Sequence, residues 1–206
     1  MGFTSVWSIS SHEDPVIGEL APRVSAAIAA DQACTEARGR WAAWERAPLP
    51  DRRTWWTDPA HHDAIRSFQE MTRPGRHVDD LCTVAPDFDV EQEIWDRRPD
   101  SGAMFTSVHR KEYAVAALFH ALGPERAALL PGWCGNFLLD AAGVRRALPG
   151  VERALGFGPG ERERAQAQDW LDYGARDESV LDGPLRVLRA AAAAGWGVCG
   201  VAFHVS

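Results

Sequence analysis

The stretch WGVCGVAFHV, residues 196–205, decides the fold. Cys199, Val201, Phe203 and Val205 alternate with Trp196, Val198, Ala202 and His204, the period of two that sends successive side chains to opposite faces of a strand. Both sets are largely apolar and no turn signal breaks the run, so the strand belongs inside a sheet rather than at an exposed edge. A partner stands at the other end of the chain. Phe3, Trp7 and Ile9 alternate with smaller or polar residues, the pattern of a strand with one buried face. We therefore expect an α+β fold in which the N- and C-terminal strands pair in one small mixed sheet, packed by several helices, as a single domain over residues 1–206.

The intervening chain reads as mostly helical. Asp14-Pro15 and Asp58-Pro59 are both helix starts, an acid at the N-cap followed by Pro in the first turn. The first opens a helix that carries Val16, Ile17, Leu20, Val24 and Ile28 at helical spacing and runs on, bent, toward Trp44 until Pro48 and Pro50. The second runs to about Met71 and is closed by Pro74-Gly75. Residues 76–100 are polar, with loops or a short helix expected at 90–95. A helix is expected over 104–122. Turns at Gly123-Pro124 and Pro131-Gly132 follow, then a short apolar run at 137–139 and a helix capped by Asp140. Two more helices are expected, over 160–173 and 185–194, the second ending at Gly195.

This order resembles the YfbM-like family of bacterial proteins of unknown function. The resemblance is carried by GNFLLDAAGVRRALPGVERAL (135–155) and LDGPLRVLRAAAAAGWGVCGVAF (181–203), above all by residues 140–144 and 185–201, and covers about half the chain. It implies a short strand at the start, an acid-capped helix after a short extended segment, and a closing helix that runs into a hydrophobic strand. It implies no activity, because fold alone assigns none.

Composition excludes several classes. The chain has 206 residues, 46% of them hydrophobic, and carries a net charge of -7. That length supports a full core, and an acidic average argues against nucleic-acid or anionic-membrane partners, which need a basic footprint. No stretch approaches a membrane span, and the N-terminus has no signal-peptide pattern, so a cytoplasmic location is expected. Arg outnumbers Lys, with Lys111 the single lysine, and Ala is abundant, as in proteins of GC-rich bacterial genomes. The four cysteines are widely spaced, without a C-x-x-C, so neither a disulfide framework nor a structural zinc is encoded.

Chemistry has few candidates. On the expected helix over 104–122, His109, Tyr113 and His120 share a stripe. His109 and Tyr113 are near enough to form an acid/base pair, whereas His120 lies about 16 Å from His109 along the axis. His61-His62-Asp63 fails the spacing of three or four that helical metal ligands need. The acidic run DFDVEQE (87–93) lacks the Gly at the sixth and the Glu at the twelfth position of a calcium loop. No metal and no cofactor are therefore expected. No nucleophile elbow or phosphate loop is present. Cys134, in PGWCGN, has no neighbouring His or Lys to lower its pKa and reads as a buried thiol. His204 reads first as a hydrogen-bonded core residue and second as a pocket wall.

Nine tryptophans are many for this length, and Trp41, Trp44, Trp55 and Trp56 fall within sixteen residues of Pro- and Arg-rich chain. Core packing is the first explanation for them; left partly exposed, indoles instead mark binding surfaces. The preferred reading is a binding module for a small ligand or protein partner, using Trp41, Trp44, Trp55, Trp56, Trp133 and His204. The alternative is a small cofactor-independent enzyme with His109 and Tyr113 as its acid/base pair.

Overall fold

The computed structural model describes residues 2–83, 96–97 and 104–205. The terminal strands β1 (Thr4–His12) and β4 (Gly197–Val205) pair antiparallel from Thr4↔Val205 to His12↔Gly197, and this ladder is the centre of the sheet. β2 (Met104–Arg110) lies on the other side of β1 and β3 (Phe137–Leu139) on the other side of β4, giving the order β2-β1-β4-β3. All three pairings are antiparallel, so the expected sheet of paired termini is present without a parallel member. β1 is buried on both faces rather than one. Its small Ser5, Ser8, Ser10 and Ser11 fit where larger residues would not, and Ser10 Oγ meets His12 Nε2 at 2.7 Å.

The helices cover both sheet faces. On one face Val6, Cys199, Val201 and Phe203 meet Leu20, Val24 and Ile28 of α1 (Asp14–Ala33) and Val78 of α4 (Arg76–Thr83). On the other face Trp7, Ile9, Phe105 and Ala202 join a larger core. That core is built with α2 (Thr35–Arg46), α3 (His62–Thr72), α5 (Ala114–Ala127), α6 (Ala141–Leu155), α7 (Pro159–Gln168) and α8 (Gly183–Ala194). The bend expected in the first helix falls at Cys34, an extended residue between α1 and α2. Asp140 caps α6 by accepting from Gly143 N–H, and Gly195 ends α8 at φ 71°.

Residues 104–122 are not one helix. Phe105 and Ser107 are buried and His109 half-buried, while Thr106, Val108 and Arg110 face outward; this period of two builds β2. Lys111, at φ 65°, then turns the chain, its N–H donating to Phe3 carbonyl at 2.9 Å. α5 begins only at Ala114, and residues 114–119 are buried without exception. A helix surrounded on all sides has no polar stripe by which to locate its start. The expected turn at Gly123-Pro124 is a break inside α5, with Gly123 at φ 71° and ψ 168°. The expected helix over 160–173 stops at Gln168. Of the polar segment, α4 occupies Arg76–Thr83; the short helix expected at 90–95 and the acidic run at 87–93 lie outside the described residues.

β3 covers β4 only from Val198 to Gly200. Beyond it the outward N–H groups of β4 are taken by side chains: Ala202 N–H donates to Asn136 Oδ1 at 2.7 Å and His204 N–H to Asp79 Oδ1 at 2.7 Å. A buried strand edge needs such acceptors. Asn136→Ala should therefore cost about 1–3 kcal/mol. Urea unfolding should show a lower midpoint with an unchanged slope.

Candidate functional site

The site is built on a tight turn. Trp133 N–H donates to Asn136 carbonyl at 2.8 Å and Asn136 N–H to Trp133 carbonyl at 2.9 Å, closing a two-residue loop. Its central residues, Cys134 and Gly135, have φ of 45° and 81°, the consecutive positive values that a type I′ turn demands. Gly135 is also held by its surroundings. A Cβ there would stand 2.5 Å from Val115 Cγ2, and its carbonyl accepts from Trp7 Nε1–H at 2.9 Å. Trp133 is thus fixed by backbone before any ligand arrives.

Trp133 and Cys134 line two neighbouring cavities. The larger, of about 430 Å³, is also lined by Arg40, Arg73, Arg76, His77 and Met71. The smaller, of about 220 Å³, is walled by Trp41 and Phe119. Trp41 and Trp133 stand 5.7 Å apart between ring centroids, tilted by 42°, and Phe119 meets Trp41 edge-on at 5.9 Å. Aromatic walls with a few polar groups are what small-molecule sites present.

Charge in the larger cavity is organised. Asp31 is buried and accepts from His77 N–H at 3.0 Å, Val78 N–H at 3.1 Å and His77 Nδ1 at 2.8 Å, so it ties α1 to the start of α4. Gly75 is required there, because a Cβ would fall 2.2 Å from Asp31 Oδ2. His77, its Nδ1 directed at Asp31, lines the cavity beside these residues. Arg73 pairs with Glu70 at 2.9 Å and Arg76 with Asp80 at 3.6 Å, whereas Arg40 makes no ion pair among the described residues. Burial pushes the Cys134 thiol up to about 12, so it is a neutral wall of the cavity and no nucleophile near pH 7.

The other sequence candidates are dispersed. Trp44 and Trp55 are core residues at 4% and 0% exposure, Trp41 is half-buried, and only Trp56, at 59%, stands out. Core packing, the first explanation for the cluster, describes Trp44 and Trp55, and the four indoles do not share an exposed surface. Trp55 donates its Nε1–H to Pro50 carbonyl at 3.0 Å and packs edge-on to His120 at 4.8 Å, with the Arg52 guanidinium 4.6 Å above its ring. A ring with that many partners is more stable inside than out.

His109 and Tyr113 do not form a pair. His109, on β2, meets Ser107 Oγ through Nε2 at 2.8 Å and lies edge-on to Tyr173. Tyr113 immediately precedes α5, and its hydroxyl lies 3.3 Å from Nε2 of His204. His204 is a half-buried, hydrogen-bonded histidine whose Nδ1 meets Asp79 Oδ2 at 2.8 Å. The sequence reading missed Asp79, Arg40 and Arg73, which carry no local motif. Among the described residues no three His, Cys, Asp or Glu side chains converge as metal ligands, and no helix is long and apolar enough to cross a membrane.

Comparison with protein families, curated proteins and solved structures finds no match for this chain.

Two outcomes follow from these placements. Trp44→Ala and Trp55→Ala should each lose about 3–5 kcal/mol in urea unfolding, while Trp56→Ala stays within about 0.5 kcal/mol. Burial also holds His109 below the ordinary histidine range, outweighing the nearby carboxylates, Asp169 foremost. The unfolded chain therefore binds a proton before the folded one does. The His109 contribution is complete above the unfolded value of 6.5 and is lost as pH falls from there through the lower folded value. Unfolding measured across this window should show stability falling with acid, with a slope reduced by up to about one proton in His109→Gln.

Proposed function

We propose that this protein binds a small anionic molecule with a flat apolar portion in the two cavities that meet at Trp133. The observation that carries the reading is the joint lining: Trp133 and Cys134 belong to both cavities, Trp41 walls one, and Arg40, the residue before it on α2, lines the other. A planar ring held against Trp41 and Trp133 gains aromatic contact, and an acidic group beside Arg40 meets a guanidinium that makes no ion pair among the described residues, although Glu36 also lines that cavity. The turn that carries Trp133 is fixed in advance, which lowers the ordering cost of binding. In this reading Trp41 and Trp133 are the binding tryptophans, and Trp44 and Trp55 support them from the core.

Titration calorimetry with naphthalene-2-sulfonate and with neutral 2-naphthol tests the assignment. Both should bind, the anion more tightly. Trp133→Ala should weaken both, and Arg40→Ala should weaken the anion about tenfold, a change of about 1.4 kcal/mol, while leaving the naphthol unchanged. Affinities untouched by Trp133→Ala, or no binding of either compound at millimolar concentration, would overturn the proposal.

A further inference from the structure

A second arrangement, outside the Trp133 cavities, links three elements far apart in sequence. Asp79 on α4 grips His204 of β4 with both carboxylate oxygens, Oδ1 on its backbone N–H at 2.7 Å and Oδ2 on Nδ1 at 2.8 Å. This fixes the tautomer of the neutral ring, in which Nδ1 carries the hydrogen and Nε2 the lone pair. The Tyr113 hydroxyl lies 3.3 Å from that Nε2, placed to donate to it. Phe3 holds the pair from the side, stacked on Tyr113 at 4.9 Å and edge-on to His204 at 5.5 Å. Tyr113 in turn lines a cavity of about 240 Å³ together with Arg73, Lys111, Glu112 and Trp170. Acid, imidazole and hydroxyl stand in the order that activates a nucleophile, with a phenol in place of an aliphatic alcohol.

We propose that Asp79, His204 and Tyr113 form a hydrolytic site for small carboxylic esters, with Tyr113 as nucleophile, His204 as base and Asp79 as the positioning residue. Burial holds the Tyr113 phenol above its ordinary range, so at neutral pH it is an O–H that needs a base. Tyr113 Oη bonds to the ester carbonyl carbon as its proton passes to His204 Nε2, and the imidazolium is stabilised by Asp79. Arg73 on the cavity wall is paired with Glu70, which lines the same cavity, so Lys111 supplies the positive charge for the oxyanion. Collapse breaks the bond to the alcohol oxygen, which leaves with the proton from His204. Water, deprotonated by His204, then attacks the acyl-tyrosine ester, releasing the carboxylic acid and restoring the phenol. The sum is ester plus water to acid plus alcohol. The cavity is smaller than those that take drug-sized ligands, which restricts the substrate to small esters. Trp170, its N–H tied to Glu112 Oε2 at 2.9 Å, gives a flat wall suited to an aryl leaving group. This inference goes beyond the ligand-binding reading and does not depend on it.

The test is the intact protein with 4-nitrophenyl acetate, following nitrophenolate release and mapping the acetylated peptide. The expected result is a first-turnover burst with the acetyl group on Tyr113, absent in Tyr113→Phe and about 100-fold slower in His204→Gln. Asp79→Asn should lower the acetylation rate constant while leaving the burst amplitude and the half-saturating ester concentration unchanged, whereas partial loss of folding would lower the amplitude and leave the rate constant as it was. Acetyl found on Lys111 and not on Tyr113, or Tyr113 acetylated at the same rate in His204→Gln, would overturn the proposal. If His204→Gln lowers the melting temperature, Tyr113→Phe decides, since it keeps the ring that stacks on Phe3: an undiminished burst in that variant overturns the proposal and a lost one upholds it.

Discussion

The antiparallel ladder between β1 and β4 is the constraint from which the rest follows. It joins the two ends of the chain over nine registered residues, so the helices lie within the loop that it closes. Loop closure of that length is entropically costly, and it is offset by burying both faces of both strands. Burial creates a further demand, because each N–H on the outer edge of β4 must find an acceptor where β3 has ended. Asn136 and Asp79 meet it. Each is also the anchor of a candidate site: Asn136 ends the turn that presents Trp133, and Asp79 orients His204. Satisfying one strand edge thereby ties the sheet to both candidate sites.

The fold was legible where pattern and burial agree. Two-residue alternation at the chain ends, Asp-Pro helix starts and the Asp140 cap are local signals, and local signals survive in a single sequence. Residues 104–122 failed for the opposite reason. The apolar residues of β2 and α5 happen to fall on one helical arc, and nothing at Arg110-Lys111-Glu112 is a strong breaker; the turn is made by Lys111 in a left-handed conformation that glycine would have announced.

The candidate sites were legible in part and in an instructive way. Trp41, Trp133, Tyr113 and His204 were all visible as chemistry-bearing residues, but their partners are set by tertiary contact. Tyr113 has its neighbour 91 positions away and His204 has its carboxylate 125 positions away, separations that no spacing rule reaches. Asp79 could not be told from the acids around it, because what distinguishes it is the strand edge it faces. The tryptophan cluster left two readings, core and surface, and proximity in sequence could not choose between them: α2 and the segment that follows it turn Trp44 and Trp55 inward against Phe68 and leave Trp56 outside.

Among the described residues only Lys111 and Cys134 depart from glycine's near-monopoly on positive φ. Each such residue costs on the order of 1 kcal/mol and persists only where its surroundings over-determine it. Their positions are not scattered. Cys134 follows Trp133 in the turn that fixes it, and Lys111 stands two residues before Tyr113 in the turn that brings the phenol to His204. In both places the strain falls next to a side chain aimed into a cavity, and both turns are anchored on the sheet, by Trp7 on β1 through Gly135 in one case and by Phe3, just before β1, in the other. The rigidity that the β1–β4 ladder provides is therefore concentrated at the two points where a ligand or substrate would meet a preorganised group.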